Sequence, residues 1–360
     1  MWLGLALGGM ASLFLALSYT FSGMSVRRCK DVGTFGLLCR AHVVMGVLSL
    51  IGLPFVWTRT LATHFGDYSL IMLLAIIFYL AGQFCLFMAQ RTVDASRVVP
   101  LLGMKLLVLA VLNILIMPHL MGTKPESYGI FQWLGIFLTV GAAFILNKAG
   151  QRIPWQSLCW VGMTCLGYAS SDTCITMLVR RLQAVGEATA DPALAGLAKP
   201  SVAAAFITYV ICGVAGVVLL PLVKKPEGAH RKTVWGWISP FAFCWLTAML
   251  FLYACFARIG TVNGNIVQST RGIIAILIGA VLAKLGFTEL EEKVGVSVLV
   301  RRLIAGVMMF LAIVVMWWLG SLPWAYCPMR PLISGTASSP TSLETVNRVY
   351  NTASPNLISK

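Results

Sequence analysis

Long, continuous apolar runs occupy most of the first 320 residues of the chain. A helix needs about 20 mostly apolar residues to cross the hydrocarbon core of a bilayer. Because the runs are continuously apolar rather than alternating, they predict helices and not the strands of a barrel. The pattern therefore predicts an all-α integral membrane protein with ten transmembrane helices. The ten runs lie roughly at 2–24, 33–57, 69–89, 98–121, 130–147, 155–178, 202–223, 236–256, 263–284 and 301–320.

Two polar segments interrupt this pattern. Residues 182–200 contain Glu187, Asp191 and two prolines, which predicts a polar connector outside the membrane. Residues 323–360 form a C-terminal tail that is rich in Ser, Thr, Pro and Asn from residue 329 onward. Such a composition has too few apolar residues to pack, so the tail is predicted to be disordered. The remainder divides into two units of five helices, 1–150 and 151–322.

The two units share a repeated sequence. Residues 9–28 (GMASLFLALSYTFSGMSVRR) and 162–181 (GMTCLGYASSDTCITMLVRR) are identical at ten of twenty positions. Shared membrane composition alone would give about two or three matches, so this identity indicates an internal duplication.

A second correspondence lies around the fourth helix of each unit. Lys105 follows Arg91 by 14 residues, and Arg271 follows Arg258 by 13 residues. Each unit therefore carries a cation at nearly the same depth of its fourth helix. Since five is an odd number, the second unit must enter the membrane from the opposite side, which makes the predicted architecture a 5+5 inverted repeat. Many secondary transporters are built in this way.

Composition and charge exclude several classes of protein. Hydrophobic residues make up 59% of the chain and charged residues only 11%, whereas an ordinary soluble domain is about one quarter charged. The formal net charge of +15 comes mostly from Lys and Arg between the runs, which is typical of anchors at lipid headgroups and not of nucleic-acid binding. The ten cysteines are scattered without a CxxC motif, and there are only four histidines. Neither a metal site, a disulfide framework nor another cofactor site is therefore predicted.

Several local patterns resemble the drug/metabolite transporter superfamily in its ten-helix EamA-like branch. Residues 87–105 (FMAQRTVDASRVVPLLGMK) join two helices through a short polar link and a proline-containing helix, as in that family. Glu126 precedes Gly135 by nine residues, which matches the family, whereas Glu292 precedes Gly306 by fourteen, which departs from it. The resemblance covers about residues 1–320. It implies a 5+5 inverted repeat, a central substrate cavity and transport of a small metabolite, but it names neither the substrate nor a catalytic residue.

Charged residues inside the predicted helices are the first candidates for a site. A charge at mid-membrane costs roughly 2.5–3.5 kcal/mol on insertion scales, so it is usually paired or faces water. The repeat predicts that Lys105 and Arg271 face each other, where they would attract a carboxylate or a phosphate. Asn265 and Gln268 make the first half of the ninth helix polar. The alternative is that one cation snorkels, or pairs with Asp172 as a structural bridge.

Asp172 stands where the repeat has Tyr19 in the first unit. An intramembrane carboxylate can bind a coupling proton or Na⁺, and the alternative is a fixed ion pair with one of the two cations. Ser18, Tyr19 and Ser171 are candidate hydroxyls of the cavity. Their alternative role is interhelical hydrogen bonding, which is the commoner one.

Loop charges and the family resemblance disagree about orientation. Odd-numbered loops hold fifteen Lys and Arg residues, and even-numbered loops hold six. The positive-inside rule then puts the odd loops in the cytoplasm and both termini outside, whereas the family generally has both termini in the cytoplasm. Ten helices place both termini on the same side of the membrane, but the helix count does not determine which side this is.

The expected function is secondary transport of a small polar, anionic metabolite across the cytoplasmic membrane by alternating access. The expected partners are that substrate and membrane lipid, and the pattern leaves a homodimer open. The alternative is a membrane-embedded, lipid-modifying enzyme of the transferase type. Against the enzyme, the sequence has no HxxxD motif, paired carboxylates or His-rich cluster at a helix end.

Overall fold

The computed structural model describes residues 2–115, 129–148, 153–191, 194, 196, 198–224, 230–286 and 296–315. Within these ranges the chain is helical and contains no strand, which confirms the predicted all-α class. All these helices belong to one compact unit, Met1–Ala325. The predicted C-terminal tail lies outside the described residues, as do Glu126 and Glu292 of the family patterns.

The described helices are numbered here in chain order, and four short 3-10 turns lie between some of them, at Lys30–Val32, Leu53–Phe55, Leu102–Met104 and Leu220–Leu222. The α-helices are α1 (Trp2–Arg28), α2 (Gly33–Gly52), α3 (Arg59–Thr63), α4 (Phe65–Gln90), α5 (Ala95–Leu101), α6 (Lys105–Leu115), α7 (Ile130–Lys148), α8 (Trp155–Ala188), α9 (Ala198–Leu219), α10 (His230–Ile259), α11 (Thr261–Gln268), α12 (Arg271–Lys284) and α13 (Val296–Val314).

Several of these segments are long and apolar enough to cross a membrane, which fits a multi-pass membrane protein. Among the described residues, the seven that qualify are Trp2–Arg28, Lys30–Phe55, Phe65–Gln90, Ala95–Leu115, Ala198–Leu222, Lys232–Ile259 and Thr261–Lys284. The other three predicted runs fall on α7, α8 and α13, which are helical but do not meet the same requirement within the described residues. In α8 the run is diluted by the polar segment around Ser171 and Asp172.

Four helix pairs make the most extensive contacts within the described chain: α4 with α8, α1 with α10, α2 with α9, and α7 with α13. Each pair joins a helix of the first predicted unit to a helix of the second. Helices from the two sides of residue 150 therefore contribute to a common apolar core, in which Trp245 is a large, fully buried side chain.

The pair of α2 and α9 crosses in close contact at two glycines. A Cβ atom added to Gly46 would lie 2.6 Å from the Cα of Gly213, and one added to Gly213 would lie equally close to Gly46. Gly36 lies ten residues before Gly46 and is next to Val223. Val223 in turn lies ten residues after Gly213. The contacts thus advance along one helix as they go back along the other, so the two helices run antiparallel. Only residues this small let two backbones approach so closely.

The run at 98–121 is an interrupted helix and not the continuous span that we expected. The 3-10 turn Leu102–Met104 separates α5 from α6. Pro100 lies inside α5, where it has no N–H to give to the helical ladder and its ring crowds the preceding turn. As a result, Lys105 is the first residue of α6.

The run at 263–284 is interrupted as well, between α11 and α12. The hydroxyl of Ser269 donates to the carbonyl oxygen of Asn265 at 3.0 Å, and that of Thr270 donates to Val267 at 2.8 Å. Such side-chain bonds compete with the regular backbone ladder. Arg271 follows this break as the first residue of α12.

The connector between α8 and α9 is shorter than the predicted 182–200. Helix α8 continues to Ala188, and α9 begins at Ala198. Leu178, Leu182 and Val185 are buried at helical spacing along the extension of α8. Packing of this apolar face stabilises the helix in spite of its polar neighbours.

Candidate functional site

Lys105 and Asp172 form a buried ion pair next to the interruption of α5 and α6. The ammonium nitrogen of Lys105 lies 2.7 Å from Oδ2 of Asp172, and both side chains are more than nine-tenths buried. The same ammonium donates to Oε1 of Gln268 at 3.0 Å. Asn265 donates from its side-chain amide to Oδ2 of Asp172 at 2.9 Å. These four side chains from α6, α8 and α11 therefore form one hydrogen-bonded network.

Of the alternatives left open for Asp172, the fixed ion pair is present, and its partner is Lys105. The carboxylate oxygen Oδ2 accepts hydrogen bonds from both Lys105 and Asn265. The charge of Lys105 is therefore compensated within the protein. Its predicted role in substrate binding stays a prediction. A role of Asp172 in proton or Na⁺ coupling stays a prediction.

Arg271 lies at the same cavity but outside this network. Its side chain is buried, with 3% of the residue exposed, and the guanidinium carbon lies 5.5 Å from the ring centre of Tyr19. It makes no hydrogen bond or ion pair with any residue that the structure describes. A guanidinium has five N–H donors, and their withdrawal from water without acceptors is costly. Arg271 is therefore suited to bind an anion that enters the cavity.

Aromatic side chains from α1, α4, α8 and α9 surround Trp245 of α10. The ring centre of Trp245 lies 5.7 Å from those of Tyr19 and Tyr79 and 6.0 Å from that of Tyr168. Its indole N–H donates to the hydroxyl of Tyr209 at 2.7 Å. Separations of this size are typical of favourable aromatic pairs. We refer to Tyr19, Tyr79, Tyr168, Tyr209 and Trp245 as the aromatic wall.

Hydrogen bonds at the far ends of the rings hold the aromatic wall in position. The hydroxyl of Tyr79 lies 3.0 Å from Nε2 of His42, whose other ring nitrogen lies 2.8 Å from the carbonyl oxygen of Leu38. The hydroxyl of Tyr168 donates to Oε1 of Gln83 at 2.5 Å. His42 thus has a structural role, because it anchors a ring of the wall.

The ion pair, Arg271 and the aromatic wall enclose one cavity. Its volume is about 20 Å³, which is room for about one water molecule. A metabolite with several carbon atoms needs a much larger space. In the described conformation the cavity is therefore closed to a ligand of that size, which can bind only if the side chains that line the cavity move apart.

Most of the predicted site residues meet at this cavity. Those that line it are Lys105, Arg271, Gln268, Tyr19, Ser171 and Asp172. Asn265 lies behind Asp172 and reaches the cavity through its hydrogen bond. Ser171 also donates to the carbonyl of Ala75 at 2.9 Å, which is the interhelical bond given as its alternative role. Ser18 is buried, its hydroxyl has no partner in the described structure, and it does not line the cavity.

Sequence reasoning missed four members of the aromatic wall, namely Tyr79, Tyr168, Tyr209 and Trp245. Inside apolar runs these residues are indistinguishable from ordinary hydrophobic bulk. One signal was present, because tyrosine in membrane helices is enriched at the two interfaces. A tyrosine halfway along a run therefore needs a polar partner inside the protein.

No protein-family model matches this sequence, and no curated protein matches it either. Among solved structures, one described only as a crystal structure of a protein matches with a TM-score of 0.58 and 11% sequence identity. The match covers 88% of this chain and 96% of the other. At this identity the likeness concerns the fold alone.

Proposed function

We propose that this protein is a secondary transporter that carries a small polar anion across the membrane by alternating access. The observation that supports this most strongly is Arg271, a buried guanidinium at a central cavity that has no hydrogen bond or ion pair with any described residue. Charges inside membrane proteins are expensive and are retained mainly where they serve a pathway or a ligand.

The expected sign of the substrate's charge follows from which charged side chains in the cavity are paired with each other. Lys105 and Asp172 compensate each other at 2.7 Å, so they leave no net charge. Arg271 forms no ion pair with a carboxylate in the described structure. A cationic substrate would meet an uncompensated like charge, whereas an anion would gain charge-assisted hydrogen bonds.

We also propose that the chain consists of two five-helix halves of opposite orientation, 1–150 and 151–322. Gly46 and Gly213, which meet where α2 crosses α9, are 167 positions apart. A Cβ added to Gly46 would lie 3.3 Å from the carbonyl oxygen of Tyr209, and one added to Gly213 would lie 3.1 Å from that of His42. His42 and Tyr209 are also 167 positions apart. Reciprocal contacts between antiparallel helices are what a two-fold axis in the membrane plane produces.

The interrupted helices support the same arrangement. Helices α5 and α11 begin 166 positions apart, and so do α6 and α12. The contact of α1 with α10 has its counterpart in that of α8 with α4. With α7, α8 and α13 added to the seven apolar segments, the proposed total is ten membrane helices. In transporters built from inverted repeats, broken helices supply the substrate site near the midplane.

Membership of the drug/metabolite transporter superfamily, in its EamA-like branch, is part of this proposal. It is supported by the local sequence patterns around residues 87–105 and by a cavity between the proposed halves. The lipid-modifying enzyme is the competing proposal, and no observation in the described structure favours it.

The decisive experiment uses the purified full chain in proteoliposomes with a panel of organic anions, amines and sugars. We expect uptake of at least one organic anion, and Arg271→Gln should lower that uptake at least tenfold because the anion loses its counter-charge. Arg258→Gln is the matched control, since Arg258 is exposed at the end of α10, and it should leave uptake unchanged.

Three results would contradict the proposal. These are uptake of amines alone, full anion uptake by a folded Arg271→Gln variant, and conversion of a lipid in the same vesicles without any transport. The last result would favour the enzyme.

A further inference from the structure

We propose that the cavity binds monovalent aromatic carboxylates, in preference to phosphate esters, amines and saturated acids. This inference deepens the proposed function and rests on it for the physiological meaning of the ligand. It also predicts a binding property of the purified protein that can be measured without transport.

The charge of the cavity selects the charge of the ligand. Lys105, Arg271 and Asp172 line the cavity, and together they carry a formal net charge of +1. One carboxylate makes the closed cavity neutral. A phosphomonoester carries about −1.5 to −2 at pH 7, so it would bring an excess negative charge into a buried site, where an uncompensated charge is strongly unfavourable.

The guanidinium of Arg271 favours a planar anion. None of its N–H groups has an acceptor among the described residues, so two parallel donors are free to bind the two oxygens of one carboxylate. Asp172 strengthens the preference, because Lys105 and Asn265 already occupy its Oδ2. The carboxylate of the protein therefore stays with its own partners while the carboxylate of the ligand takes Arg271.

The aromatic wall adjoins the anion site directly. The ring centre of Tyr19 lies 5.5 Å from the guanidinium carbon of Arg271 and 5.7 Å from the ring centre of Trp245. A ring that is attached within one or two bonds of the carboxylate would reach the wall while the anion stays on Arg271. In the described conformation the rings of the wall contact one another. When the cavity opens, the aromatic ring of a ligand can form the same kind of ring–ring contact with them.

Isothermal titration of the purified full chain in detergent tests the inference with four matched probes. Benzoate is the expected ligand. Cyclohexanecarboxylate has the same charge without the aromatic ring, phenyl phosphate has the ring with a higher charge, and benzylamine has the ring with the opposite charge. We expect benzoate to bind at least tenfold more tightly than each of the other three.

Two variants separate the charge argument from mere damage to the protein. Arg271→Gln removes the net charge and should abolish benzoate binding in a protein that still elutes as a folded monodisperse species. The double variant Lys105→Met/Asp172→Asn keeps the formal net charge at +1, and it should keep the preference for benzoate over phenyl phosphate even if both bind more weakly. Arg258→Gln again serves as the control for loss of an exposed arginine.

The possible outcomes distinguish this inference from the proposed function. Equal or tighter binding of phenyl phosphate, benzylamine or cyclohexanecarboxylate would overturn the ligand class, and so would the absence of benzoate binding by folded protein. If benzoate binds as expected but proteoliposomes show no uptake of any anion, the transport proposal fails and the ligand class stands. If proteoliposomes take up only anions other than aromatic carboxylates, the transport proposal stands and the ligand class fails.

Discussion

The Lys105–Asp172 pair is withdrawn from solvent together with the amides that bind it, so each charge depends on the other. Removal of one member of such a pair leaves a buried charge without compensation, whereas removal of both leaves two neutral groups. The pair of His64 and Asp67 provides a contrast on the same protein, because its side chains are 41% and 46% exposed.

We predict that Asp172→Asn lowers the free energy of unfolding by about 3–5 kcal/mol. Asp67→Asn, the control, should cost about 0–1 kcal/mol because the surface pair is solvated. The double variant Lys105→Met/Asp172→Asn should recover most of the loss. Equilibrium unfolding in mixed detergent micelles measures all three, and equal losses for Asp172→Asn and Asp67→Asn would show that the buried pair is not a stabilising unit.

At the scale of elements, the crossing of α2 and α9 depends on the absence of side chains at Gly46 and Gly213. A Cβ at either position would lie 2.6 Å from backbone of the other helix. The helices would have to separate, and overpacking of this kind costs typically about 1–3 kcal/mol.

Gly46→Ala and Gly213→Ala should therefore each destabilise the protein by about that amount and lower its melting temperature in detergent. Gly162→Ala in α8 is the matched control, since a Cβ there would meet nothing within 4 Å, and it should leave stability unchanged or raise it by up to about 1 kcal/mol because Ala favours a helix over Gly. Unchanged melting of Gly46→Ala and Gly213→Ala would contradict the close crossing.

The positions of the helices could be predicted from the sequence, because apolar runs of membrane length have few alternatives to a helix. Only one of the two helix interruptions could be predicted. Pro100 made a break in its helix foreseeable, but Ser269 and Thr270 break theirs through hydroxyl bonds that these residue types form only in some helices. The extension of α8 was missed because Leu182 and Val185 are surrounded in sequence by charged residues, and their burial depends on helices that fold against them.

For the whole molecule, the proposed ten crossings make a definite statement about sidedness. Five proposed spans lie between Lys30, which follows α1, and Glu187, at the end of α8. Both residues are exposed, and an odd number of crossings puts them on opposite sides of the membrane.

We expect Lys30→Cys and Glu187→Cys to react with a membrane-impermeant maleimide from opposite sides of oriented vesicles. The background should carry Cys159→Ser, because Cys159 is an exposed native thiol. Reaction of both from the same side would mean that one of the five segments does not cross, and would remove the inverted repeat. The side on which Glu187 reacts would also decide between the orientation that loop charges predict and the one that the family resemblance implies.

The charged residues of the candidate site could be predicted from the sequence, whereas the aromatic wall could not. Cations inside two long apolar runs are rare enough to stand out from sequence alone, and both line the cavity. The choice of partner for Asp172 was not predictable, because it depends on how α6, α8 and α12 are rotated about their axes. The aromatic wall collects side chains from four helices around Trp245, and no local pattern reports such a convergence.

The small volume of the cavity has a consequence for kinetics. Since a ligand can occupy only an opened form, its measured dissociation constant is the intrinsic constant divided by the fraction of molecules that are open. For a substrate of the proposed kind, association then depends on the separation of Trp245 from its neighbours, so it should be slower than diffusion and should accelerate steeply with warming. A substitution that loosens these rings, without touching any charge, would strengthen apparent binding and speed up exchange, while the protein would lose part of its ability to discriminate among ligands.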